Sequence, residues 1–265
     1  QLLLNKFGII INKEAKELIE LIKKMDIVCL SPSGPLIGDM YNFRSEFIRL
    51  AALFIAQRFG KKTMIYGPSM GPFRLNTVRH YIRKQILNHT DMITVRDEIS
   101  YGYLKKANLV SNNVLCTLDS AIQREISVKE SKEYYSKIGV NPGLDIMIGV
   151  TPISLAWHPI YGKMKNIKAF DENNLTEMCK AMMIIKNKIK CKYIFFPQLF
   201  GADDDMPVIN SLISMFGDND SCVVLPSTFD SDIQQAMISS LRLFIGMRYH
   251  SIIFSAKMGV PFVGV

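Results

Sequence analysis

Short runs that are apolar on both faces recur along the whole chain, and amphipathic stretches separate them. In the first half the runs are DIVCLSPSG, KTMIYGPSMG, DMITVRD and NVLCTLDSA; in the second they are MIGVTPISL, KYIFFPQLF, SCVVLP, LRLFIGM and PFVGV. A strand that is apolar on both faces needs cover on both faces, and helices between such strands provide it in a parallel sheet. Helical spacing of apolar residues predicts helices over 13–24, 45–59, 75–89 and 97–106, then over 171–188, 207–216, 230–239 and 251–258. The rhythm breaks at VKESKEYYSKIGVNPGLD, a charged segment ending in Asn-Pro-Gly turn chemistry. The expectation is an α/β protein of two doubly wound, Rossmann-like domains, residues 1–143 and 144–265. Ligands are then expected in a cleft at the carboxyl ends of the strands. The start at Gln1 without an initiating Met, and the end in PFVGV, where a buried strand would need a following helix, both read as cut.

Composition narrows the function classes. With 48% hydrophobic and 21% charged residues and no low-complexity tract, the 265-residue chain is globular. Its formal charge of +8 comes from 32 basic and 24 acidic residues. The basic residues form no arginine-rich block with interleaved aromatics, so nucleic acid is not indicated. The same balance suits an anionic small substrate or an anionic membrane surface. No apolar run reaches membrane-spanning length. The five cysteines, Cys29, Cys116, Cys179, Cys191 and Cys222, contain no Cys-x-x-Cys pair and read as small buried thiols in a reducing compartment.

The strand ends carry the chemistry. Ser33 and Gly34, then Gly67, Ser69 and Gly71, bring small residues and backbone amides to where an anion could approach a following helix; the alternative is that they only make tight turns. Neither Gly-x-Gly-x-x-Gly nor a lysine-bearing P-loop occurs, so a dinucleotide site or an ATPase is unsupported. Arg96 at the end of DMITV suits a carboxylate or phosphate, or else pairs locally with Asp97 or Glu98. Asp39 and Asp119 follow strands as site residues, and Asp119 fits a helix cap equally well. Gln198 ends KYIFFPQ, and Asp203, Asp204 and Asp205 read as helix-capping acids in preference to a metal pair. His158 faces either a ligand or its own loop. In GMRYHS, Arg248 and His250 lie two apart and on an extended strand end would point the same way, with Tyr249 turned inward. Ser251 then opens a helix. An arginine to clamp an anion and a histidine to carry a proton at one strand end form the most coherent candidate site in the chain.

These residues resemble a family. GMRYHSIIFSAKMGVPFVGV resembles the Arg-x-His strand, helix and strand of the polysaccharide pyruvyl transferases, with Tyr249 at a position more often leucine. GPSMGPFRLNTVRHYIRKQILNHTDMITVRDEIS is similar to that family's Gly-x-x-x-Gly-Pro loop, helix and Val-Arg-Asp strand end. SPSGPLIGD corresponds to its Gly-Gly-type loop with a trailing Asp, and LDSA to its Asp-Pro/Ser-Ala turn. The resemblance implies a GT-B-like fold with a first strand before the amino end, phosphoenolpyruvate as donor substrate, no metal or other cofactor, and a sugar acceptor, free or lipid-linked, that receives pyruvate as a ketal in cell-surface polysaccharide biosynthesis. It implies that Arg248 binds the donor's phosphate or carboxylate and that His250 binds the donor or passes protons. It also assigns Arg96 to the cleft, with Asp39 or Asp119 as a base for the acceptor hydroxyl. The implied location is the cytoplasm, with at most peripheral contact at the inner membrane face. A nucleotide-sugar glycosyltransferase of the same architecture and a non-catalytic sugar- or anion-binding relative are the alternatives. The oligomeric state is open.

Overall fold

The expected alternation runs through all the described residues, which are 13–31, 37–40, 42–109, 113–156, 161–200 and 204–265 of a computed structural model. The chain divides into two compact units, residues 1–120 and 121–265.

In the first unit the strands are β1 (Ile27–Leu30), β2 (Lys62–Ile65), β3 (Met92–Val95) and β4 (Val114–Cys116). They pair in parallel in the order β1-β2-β3-β4. The helices are α1 (Lys13–Lys24), α2 (Phe43–Arg58), α3 (Val78–Leu87) and α4 (Glu98–Lys106). Each of the last three starts on a side chain suited to the task. Asn42 accepts from the Ser45 amide (2.8 Å), Thr77 from the His80 amide (3.0 Å) and Asp97 from the Ser100 amide (2.7 Å). The core joins Leu50 and Leu53 of α2, Ile86 and Leu87 of α3 and Leu104 of α4 to Ile65, Ile93 and Val95 of the strands.

The second unit opens with a short helix, α5 (Ser120–Gln123), and α6 (Ser131–Lys137). Its strands are β5 (Met147–Thr151), β6 (Lys192–Phe195), β7 (Cys222–Val224), β8 (Leu243–Gly246) and β9 (Phe262–Gly264). All pair in parallel in the order β7-β6-β5-β8-β9, so the winding reverses between β5 and β8. The helices α7 (Ile167–Lys186) and α8 (Met206–Phe216) cover one face through Leu175, Met182, Leu212 and Phe216. On the other face, α6, α9 (Ser231–Ile238) and α10 (Tyr249–Lys257) contribute Tyr135, Met237 and Phe254. Strand neighbours alternate between the two cores, Tyr193 and Phe195 against Ile194 and Phe196, which is why β5 and β6 read as continuous apolar runs.

Two expectations change. The Asn141-Pro142-Gly143 turn lies inside the second unit and not at a boundary. Buried Tyr135 of α6 donates its hydroxyl to the Met237 carbonyl (2.7 Å), and Lys257 donates to the Ala121 carbonyl (2.9 Å), tying residues 121–143 to the second core. Cys29 and Cys116 are exposed and not buried, because β1 and β4 are the two outer strands of the described first sheet. Cys179 and Cys191 are buried, and burial pushes the half-buried Cys222 thiol up to about 12. Among the described residues, no helix is long and apolar enough to cross a membrane.

Candidate functional site at the strand ends

The first unit's strand ends are built from paired charges. Arg83 of α3 is fully buried and forks onto Glu46 of α2 through Nε (2.7 Å) and Nη2 (3.0 Å), while also donating to Asp39 from Nη2 (3.0 Å) and Nη1 (3.2 Å). Arg79, one helical turn away, donates to Glu46 (2.5 Å) and to the Gly38 carbonyl (2.5 Å). Two guanidinium groups therefore meet two carboxylates with little access to water. Burial alone would raise the Asp39 pKa, but hydrogen bonds from Arg83 and the Arg74 amide, with the charges of Arg83 and Arg79, outweigh it and leave the carboxyl below its usual value. Asp39, expected as a base, is engaged as a strut between α3, through Arg79 and Arg83, and the loop at Arg74.

The glycine expectations change in the same way. The Gly67 amide already donates to the Thr94 carbonyl (3.0 Å) and hydroxyl (2.8 Å), and its φ of 65° is a conformation that favours glycine. The Gly71 amide donates to the Ile37 carbonyl (2.8 Å), and a Cβ at Gly71 would lie 2.7 Å from the Tyr103 ring. Both amides are engaged inside the protein instead of being offered to an anion.

Ser69, Arg96 and Asp119, singled out separately in the sequence, are brought together. Arg96 Nε donates to the Ser69 hydroxyl (2.9 Å) and Nη1 to Asp119 (2.7 Å), and Ser69 donates to Asp97 (2.7 Å). Arg96 thus pairs with Asp119 at the end of the neighbouring strand, while its charge also reaches Asp97. Asp97 keeps the cap of α4. Burial would raise its pKa, but the Ser100 amide, the Ser69 and Ser100 hydroxyls and the Arg96 charge outweigh burial and lower it.

In the second unit the winding reverses between β5 and β8, the place where open parallel sheets leave a crevice beyond the strand ends. Here β8 ends at Gly246 and α10 begins at Tyr249. The expected extended geometry of Arg248 and His250 is therefore replaced by a strand-to-helix turn. Arg248 is the residue before the helix, His250 sits in the first turn, and Tyr249 is 54% exposed and not turned inward. Ser251 is fully buried and structural. Its hydroxyl donates to the Arg248 carbonyl (2.6 Å) and lies 2.9 Å from the Thr151 hydroxyl at the end of β5.

The Arg248 side chain pairs with Asp205, whose other oxygen accepts from the amides of Gln198 (2.9 Å) and Leu199 (3.0 Å). Capping falls to Asp204, which accepts from the Met206 amide (2.8 Å), so only one of the two described aspartates acts as expected. Asp203, Ser33, Gly34 and His158 lie outside the described residues. His250 helps to wall a cavity of about 270 Å³ with Gln198, Ser227, Asp230, Ser231 and Gln234, closed by Phe200, Phe229 and Phe254. The Gln198 Nε2 is buried there with no hydrogen-bond partner among the described residues. A cavity of hydroxyls, amides and aromatic rings with one imidazole, and with one carboxylate, Asp230, that accepts from the Asp232 and Ile233 amides, suits a small polar ligand. Sequence reasoning missed Asp205 as the partner of Arg248, and missed Glu46, Arg79 and Arg83; for the last two the signal was their spacing of one helical turn in RLNTVRHYIRK.

Two Rossmann-like units with polar strand ends, one of them at a winding reversal, define a GT-B-like protein. Solved structures with this fold include the UDP-GlcNAc 2-epimerase from Methanocaldococcus jannaschii (TM-score 0.60, 10% identity, covering 96% of this chain and 67% of that one). Others are Anabaena Alr3699/HepE in complex with UDP (0.52, 12%, 94% and 62%) and the UDP-N-acetylglucosamine 2-epimerase from Rickettsia bellii (0.53, 12%, 95% and 61%). At these identities the likeness is one of fold, and the chain spans 61–67% of the length of these structures. No curated protein matches it. A family model described as polysaccharide pyruvyl transferase matches residues 3–265, and the chain belongs to that family.

Proposed function

We propose that this protein moves a pyruvyl group from phosphoenolpyruvate onto two hydroxyls of a sugar, with Arg248 and His250 at the reacting centre. The observation that carries the reading is the placement of Arg248 at the turn into α10, and of His250 two residues on at the wall of a cavity, beyond the winding reversal in a chain of this family. Arg248 takes the donor's carboxylate or phosphate in exchange for Asp205, since its planar fork matches either anion. His250 gives a proton to the methylene carbon, which becomes the methyl group, and the cation-like C2 is attacked by one sugar hydroxyl. The neutral imidazole then accepts that hydroxyl's proton. Phosphate leaves C2 with the C–O electron pair, and the second hydroxyl closes the ketal and releases its own proton. Ser69, Arg96 and Asp119 form a fixed polar cluster at the first unit's own strand ends.

The test is phosphate release from phosphoenolpyruvate across a panel of free and lipid-linked sugars. Acceptor-dependent release should fall about 10²- to 10⁴-fold in His250→Ala, and Arg248→Ala should fall with it. The nucleotide-sugar reading, favoured by a fold neighbour whose structure holds UDP, predicts instead UDP binding with no phosphate release. A non-catalytic relative predicts no release and a ligand affinity untouched by His250→Ala. Either result sinks the pyruvyl proposal.

A further inference from the structure

The positive charge of this protein is not shared evenly. Residues 1–120 hold 17 lysines and arginines against 10 acidic residues, and residues 121–265 hold 15 against 14. From Phe47 to Thr90 there are eight basic residues and no acidic one. Arg79 and Arg83 spend their charge on Glu46 and Asp39, while Arg58, Arg74 and Lys84 remain on the surface, joined by Arg44 just upstream.

The same stretch is apolar where it meets solvent. α2 buries Leu50, Leu53 and Ala56 on one side, yet its sequence FRSEFIRLAALFIAQR continues the apolar residues around the helix. At about 100° per residue, Phe43, Phe47, Phe54 and Arg58 fall within about 60° of arc on the outer side. Phe43 is 44%, Phe47 46% and Phe54 40% exposed. The Phe43 and Phe47 rings touch at 5.7 Å, and the Arg58 guanidinium sits 5.0 Å from the Phe54 ring. On neighbouring α3, Val78 is 77% and Tyr81 63% exposed. A helix that is apolar on all sides is ordinarily covered on all sides, and among the described residues Phe43, Phe47 and Phe54 of α2 stay open to solvent.

We infer that the outer face of α2, with the start of α3, is a docking surface for an anionic phospholipid membrane. Aromatic side chains seat at the headgroup and acyl boundary, and basic side chains beside them meet lipid phosphates. An apolar protein partner would answer the aromatics but not the exposed bases Arg44, Arg58, Arg74 and Lys84 beside them; an anionic lipid surface answers both. The inference does not rest on the pyruvyl reading. It gives the protein a way to work beside lipid-borne molecules.

The test is flotation of the purified chain with phosphatidylcholine vesicles, with and without phosphatidylglycerol, at low and high salt. Binding should require phosphatidylglycerol and weaken with salt. The double variant Phe47→Ser/Phe54→Ser should lose about tenfold or more in bound fraction. Arg44→Glu/Arg58→Glu should lose the response to phosphatidylglycerol. These side chains lie outside the core, so thermal unfolding should stay within a few degrees of the parent for both variants. Failure to float with either vesicle overturns the inference, as does flotation that survives the aromatic replacements. So does light scattering that finds a dimer dissociated by Phe47→Ser/Phe54→Ser, which would give the face to a second copy.

Discussion

The strand ends of the two units look alike in sequence and behave differently in space. In both, an apolar strand is followed by glycine, proline, serine and charge. In the first unit those groups bond one another: Asp39 and Glu46 take up Arg79 and Arg83, and the amides of Gly67 and Gly71 reach the Thr94 and Ile37 carbonyls. In the second, Gln198 keeps a buried amide nitrogen without a partner among the described residues, and His250 stands at the wall of a cavity. Polar residues after a strand therefore do not by themselves mark a binding site. What separates a brace from a site is whether the donors and acceptors are already used.

The largest effect that would break this comparison is on stability. Arg83→Met leaves Arg79 as the one guanidinium shared by two carboxylates with little water, a loss of about 3–5 kcal/mol for a broken buried pair. Denaturant unfolding measures it, and a loss below about 1 kcal/mol would mean that the network is ornament and not brace.

A smaller effect follows from pH. Asp39 and Asp97 titrate below the ordinary carboxylate value in the folded protein, because hydrogen bonds and arginine charge outweigh burial. A folded pKa below the unfolded one means that the stabilisation is fully present above the unfolded value, about 3.9. It is lost as pH falls through the folded values. Stability measured from neutral pH downward should hold until about pH 5 and then drop, with a shallower drop in Asp39→Asn. An equal slope in that variant would remove Asp39 from the brace.

The order of strands and helices was legible because each element carries its own period: β5 and β6 apolar without a break, the helices at three- and four-residue spacing. Arg248 and His250 were legible as candidates because a polar pair after LRLFIG has no role in the core. Their geometry was not, since helix α10 begins at Tyr249, and starting a helix instead of extending a strand turns every side chain to a new direction. Pairings were illegible for another reason. Arg96 and Ser69 are 27 residues apart, Arg96 and Asp119 are 23, and Arg248 and Asp205 are 43. No local pattern encodes such distances; the parallel strand order brings them together. Asp205 read as a helix cap because acids before a helix normally are caps, and Asp204 beside it is one.

The smallest effect sharpens the comparison most, because it predicts opposite signs in the two units. Ser69 links Arg96 to Asp97, so Ser69→Ala leaves two charged groups each short of a partner and should cost about 1 kcal/mol or more. Gln198 Nε2 has no partner to lose among the described residues, and Gln198→Leu keeps the side chain's bulk while removing that buried donor. That substitution should leave stability unchanged or raise it by up to about 1 kcal/mol, while weakening whatever polar ligand the cavity takes. Thermal unfolding of both variants, beside phosphoenolpyruvate and sugar titrations of Gln198→Leu, separates the cases. Equal destabilisation by the two would make the second strand end a brace like the first. A Gln198→Leu protein that is at least as stable as the parent and poorer at binding would identify the unused donor as one held for a ligand.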